Sequence, residues 1–102
     1  VNERTASCLL IARVLVADGI MTDDERAVLR EAMDRFGLEP DERRIVSELD
    51  GIEEAEAVVG RLPEAARRAL ADQLVEAALA DGRLSPHETA LVAQISRAIG
   101  LG

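Results

Sequence analysis

Apolar residues recur along the chain at three- and four-residue intervals, and no window alternates over strand length, so every regular element is expected to be a helix. Six helices are expected. The first runs from Glu3 to Ala17 and carries Leu9, Leu10, Ile11, Val14, Leu15 and Val16 around its whole circumference, the mark of a buried central helix. The second starts at Thr22 and ends near Phe36, where Gly37 supplies a stop. The third has Pro40 in its first turn, carries Ile45, Val46 and Leu49, and ends at Asp50-Gly51. The fourth, from Ile52 to about Leu62, is interrupted by Gly60. Pro63 opens the fifth, whose Leu70, Leu74, Val75, Ala77, Ala78 and Leu79 make it a second central apolar helix. Ser85 and Pro86 open the sixth, which carries Leu91, Val92, Ile95 and Ile99 before Gly100 closes it. With short connections, the expectation is an all-α fold, a compact bundle of about six helices.

The chain also repeats itself. Ala17-Asp18-Gly19 recurs 63 residues on as Ala80-Asp81-Gly82, and Thr22, Glu25 and Ala27 recur as Ser85, Glu88 and Ala90. Apolar positions follow at the same offset: Met21 with Leu84, Val28 with Leu91, Leu29 with Val92, Phe36 with Ile99. Each copy reads as a long apolar helix, a tight turn and a shorter amphipathic helix. The copies span about 3–38 and 63–101, joined by bridging helices over about 40–62, within a single domain, 1–102. Two related hairpins are expected to pack about an approximate twofold.

The balance of 20 acidic against 12 basic residues gives a net charge of −8, which repels phosphate backbones and anionic headgroups. Neither a nucleic-acid partner nor membrane insertion is therefore expected, and no apolar run approaches the ~20 residues of a membrane span. Phe36 is the only aromatic residue, so stacking platforms and aromatic cages are disfavoured. The lone Cys8 cannot form an internal disulfide, and the first residues lack the order of a signal peptide, so a cytoplasmic location is expected. With one histidine, no nucleophile beside a base and no glycine-rich phosphate loop, the chain is not expected to be an enzyme.

The two Asp-Gly turns hold the candidate chemistry. Thr22 with Glu25 and Ser85 with Glu88 have the spacing of capping boxes, in which hydroxyl and carboxylate each satisfy an orphan N–H at a helix start. Asp18 and Asp81 are placed differently. A carboxylate at a helix C-terminus faces the negative end of the dipole, so either each bonds the N–H groups of the following turn or a cation offsets the repulsion. Asp18 through Glu25 has the spacing of half a calcium loop, but the earlier ligand positions hold Val14 and Val16, and Ala77 and Leu79 in the second copy. Neither copy is a self-contained EF-hand. A metal would have to gather Asp18, Glu25, Asp81 and Glu88 from both copies, and all-oxygen ligation favours Ca²⁺, Mg²⁺ or Mn²⁺.

This doubled Ala-Asp-Gly turn, each with a glutamate seven residues after its aspartate, resembles the TerB-like domain, which takes in the tellurite-resistance protein TerB and the N-terminal region of DjlA-type co-chaperones. The resemblance covers Leu9 to Leu101. It implies a compact helical fold with the acidic pairs near one another, metal binding through Asp18, Glu25, Asp81 and Glu88, and a non-catalytic role in bacterial stress or tellurite-type resistance. The alternative is a protein-interaction adaptor whose acidic turns are purely structural.

Other residues carry lesser expectations. Cys8 reads as a buried free thiol. His87, in the first turn of the sixth helix, reads as an exposed imidazole or, less simply, a neutral ligand. Arg13 and Glu76 correspond under the repeat and could meet as a buried pair, or each could extend to the surface. The segment Glu39–Glu56 holds eight acids and two arginines, a solvated face or a docking surface for a basic protein partner.

Overall fold

The computed structural model describes residues 2–16, 22–79 and 86–100, with the side chains of Ala78, His87 and Glu88 outside that description. The elements are α1 (Glu3–Leu15), α2 (Asp23–Phe36), α3 (Pro40–Glu48), α4 (Ile52–Gly60), α5 (Glu64–Ala78) and α6 (Pro86–Ala98). The starts follow from local chemistry. Asn2 caps α1 by accepting the Thr5 N–H at 2.8 Å, Thr22 caps α2, and Pro40 and Pro86 supply the first residues of α3 and α6, where a missing N–H does no harm. Gly37, at φ +69°, ends α2 in the left-handed conformation that glycine adopts freely. α3 stops one residue before the Asp50-Gly51 pair expected to end it. Leu49 itself takes φ +55°, and Gly51, at φ +82°, is the residue that precedes α4 as its N-cap.

α1 is central, as its all-round apolar pattern requires. Every residue from Thr5 to Ala12, and Val14 and Leu15, is buried, and the helix packs against each of the other five. Around it the core is completed by Leu29 and Ala32 of α2, Val46 of α3, Ala55 and Val59 of α4, Leu70, Leu74 and Ala77 of α5, and Ile95 of α6.

α5 departs from its expected role as a second central helix. It buries one stripe, Leu70, Leu74 and Ala77, against α1 and α6, while Val75 and Leu79 stand 42% and 46% exposed. Its neighbours cover one side only, and an i, i+4, i+7 stripe is all that such an arrangement can bury. The two long helices are therefore unlike in burial. The turns on which the repeat rests lie outside the described residues, so the repeat remains a feature of the sequence.

Of the two expectations for Arg13 and Glu76, the buried pair is not formed. Arg13 faces Glu56 of α4, with Nη1 and Oε2 4.0 Å apart and both side chains partly buried. α4 lies along α1 on that side, whereas Glu76 projects from the exposed side of α5. Among the described residues, no helix is long and apolar enough to cross a membrane.

Candidate functional site

Of the four acids singled out above, Glu25 is the one whose side chain is described. Thr22 Oγ1 accepts the Glu25 N–H at 3.1 Å, and Glu25 Oε1 accepts the Thr22 N–H at 2.8 Å, so the capping box is closed in both directions. Glu25 is also buried, at 6% exposure, which a cap on a surface helix does not require. Its second oxygen, Oε2, accepts no hydrogen bond from the described residues. Asp18 and Asp81 lie outside the described residues, and Glu88 lies in α6 with its side chain outside them. Among the described side chains no three acids, histidines or cysteines stand together as a metal-binding group.

A second carboxylate organises the opposite end of α1. Glu42 Oε1 accepts the Glu39 N–H at 2.8 Å, while Oε2 accepts from the Thr5 hydroxyl at 2.9 Å and from the Asn2 side-chain amide. The Glu39 N–H, then the Thr5 hydroxyl, then the Asn2 amide hold the Glu42 carboxyl below its ordinary range, because each donates to the ionised form. Arg43 beside it donates Nε to the Leu38 carbonyl at 3.0 Å and Nη2 to Asp34 at 2.9 Å, strapping the turn between α2 and α3. Sequence spacing gave no signal for the bonds that Thr5 and Asn2 make to Glu42, 37 and 40 residues away.

The rest of the acidic segment is mostly solvated. Glu39, Asp41, Glu48, Asp50 and Glu53 are exposed, and Glu56 is drawn toward Arg13. Cys8 is a free thiol buried in the core, and loss of hydration pushes its pKa up to about 12, against small opposing effects of Arg35 and Arg43. Burial and the raised pKa both favour the neutral thiol over the nucleophilic thiolate. His87 has its side chain outside the described residues.

Several openings mark the described surface. Between α2 and α5, above α1, cavities of about 270 and 200 Å³ share Gln73, whose buried Oε1 finds no hydrogen-bond partner among the described residues. On the other side of α2, a cavity of about 410 Å³ is lined by Val16, Arg26, Leu29, Arg30, Met33 and Ser47. In the sequence it corresponds to a basic-apolar face of α2 at positions 26, 29, 30 and 33.

Five helices packed on a sixth that is buried along most of its length, with a buried acid closing a helix cap, define a small all-α acidic bundle domain. The family model described as "Tellurite resistance protein TerB" matches residues 4–102, essentially the whole chain, and the protein belongs to that family. No curated protein and no solved structure matches the chain.

Proposed function

We propose that this TerB-family domain is a non-catalytic cytoplasmic module of bacterial stress or tellurite-type resistance that binds a divalent cation (Ca²⁺, Mg²⁺ or Mn²⁺) through Asp18, Glu25, Asp81 and Glu88. Glu25 carries the reading. Its Oε1 serves the cap, while Oε2 takes no hydrogen bond from the described residues and so has lone pairs to offer a cation. The cap fixes the Glu25 rotamer, so Oε2 is held in place rather than ordered on binding. A hard cation suits such an oxygen, and three further carboxylates at matching repeat positions supply the rest of an all-oxygen set. The cation would also offset the repulsion between Asp18 and Asp81 and the helix ends they follow.

A second reading has its own support. The closed capping box accounts for the position of Glu25 without a ligand, and the exposed acids of segment 39–56 suit a basic protein partner. On that reading the domain is a protein-interaction adaptor with structural acidic turns.

Calorimetric titration of the demetallated protein with each cation separates the two. The cation reading expects heat and a raised melting temperature, both abolished in Asp18→Asn with Asp81→Asn. Glu25→Gln keeps the capping geometry, since glutamine serves equally at that position, but weakens binding at least as much as the ~10–100-fold lost with outer-shell partners. No heat and no thermal shift with any of the three cations eliminates it and leaves the adaptor.

A further inference from the structure

The cavity beside α2 combines features that an idle surface has no reason to hold together. Arg26 and Arg30 are one helical turn apart on the same face, where like charges repel. Neither guanidinium group has an ion pair or hydrogen bond among the described residues, although the chain carries 20 acids and Arg13, Arg43, Arg44 and Arg68 all face one. Leu29, Met33 and Val16 form an apolar floor between them, and Ser47 of α3 adds a hydroxyl across the opening. Arginine and methionine are the residues enriched where proteins meet, and the volume of about 410 Å³ falls within the range of sites that take a ligand.

We propose that this cavity docks an acidic, apolar segment of a partner protein. A carboxylate of the segment bridges the guanidinium groups of Arg26 and Arg30, and an adjacent aliphatic side chain enters the slot over Leu29 and Met33. The Ser47 hydroxyl is available to the partner's backbone. Charge complementarity selects the occupant: on a chain of net charge −8 this is a local basic site, and its apolar floor rejects a carboxylate with no hydrophobic neighbour. The site is independent of the cation reading, being built from residues that reading does not use, and it is opposite in sign to the acidic surface of 39–56.

The test is a nitrogen-15 NMR titration of the protein with three capped tetrapeptides: Glu-Leu-Leu-Glu, Gln-Leu-Leu-Gln and Glu-Gly-Gly-Glu. With the first, the amides of Arg26, Leu29, Arg30, Met33 and Ser47 are expected to shift together. Loss of the charges in Gln-Leu-Leu-Gln, or of the apolar pair in Glu-Gly-Gly-Glu, is expected to weaken binding by about tenfold or more. Arg26→Gln with Arg30→Gln, both at exposed positions, should do the same while leaving the spectrum of a folded domain. The proposal is overturned by an absence of shifts up to about 10 mM peptide, by shifts centred on another face, or by Glu-Gly-Gly-Glu or Gln-Leu-Leu-Gln binding as well as the first. Because the peptide comparison uses the unaltered protein, it decides even if the double variant does not fold.

Discussion

The Thr5 hydroxyl donates to Glu42 Oε2 at 2.9 Å, joining the first turn of α1 to the first turn of α3 across 37 residues of chain. The same carboxylate closes the α3 cap through the Glu39 N–H and takes the Asn2 amide, so one ionised group fixes two helix starts. Because these donors hold the folded-state pKa of Glu42 below its ordinary 4.5, its contribution to stability is complete above that value and is lost as pH falls through the lower folded value. Glu42→Gln should therefore lower the urea midpoint at neutral pH, with the gap to the parent protein closing well below pH 4.5. A gap of constant size across that range would show that the charge is not what matters.

The unequal burial of α1 and α5 gives a paired prediction. Leu10 is wholly buried, and Leu10→Ala should destabilise by about 2–5 kcal/mol, a large part of the stability of a domain this size. Val75→Ala should stay within about 0.5 kcal/mol, because the side chain is already 42% exposed. Denaturant unfolding of the two variants checks the contrast, and comparable losses would restore α5 to a central position.

Gly100 is held by its backbone and its neighbour. It sits at φ +86°, and a β-carbon there would lie 2.6 Å from Arg67 Nη1, the atom that donates to the Ile99 carbonyl at 2.8 Å. Gly100→Ala should cost about 2 kcal/mol, from left-handed strain and a disturbed charge-assisted bond, as read by chemical unfolding. If Arg67→Ala lowers stability equally in the parent and in Gly100→Ala, the two residues are not coupled in this way.

Cys8 should be unreactive toward a disulfide reagent in the native state, its thiol being buried with a pKa raised to about 12. Labelling should keep pace with unfolding in rising denaturant. Cys8→Ser, which puts a hydroxyl among apolar neighbours, should destabilise by about 1–3 kcal/mol, and rapid labelling without denaturant would contradict the burial.

Much of this architecture was legible in the chain. Gly37 and the Pro40 and Pro86 starts marked helix limits because their backbone preferences act locally, and the encircling apolar residues of α1 could be satisfied only at a centre. Local pattern cannot say which neighbours cover α5, so it does not distinguish the exposed Val75 and Leu79 from the buried Leu70 and Leu74. Nor could it choose Glu56 over Glu76 as the partner of Arg13, since that depends on α4 lying along α1. For the site, the spacing of Thr22 and Glu25 foretold the closed cap, but the depth at which Glu25 sits is a consequence of packing.

If carboxylates from both halves of the chain meet on one cation, as proposed, substoichiometric Mn²⁺ should reveal it by paramagnetic broadening. Amides around residues 18–25 and 81–88 should broaden together, and Asp18→Asn with Asp81→Asn should abolish the effect at both. Broadening confined to one turn, or spread along the exposed acids of 39–56 instead, would contradict it.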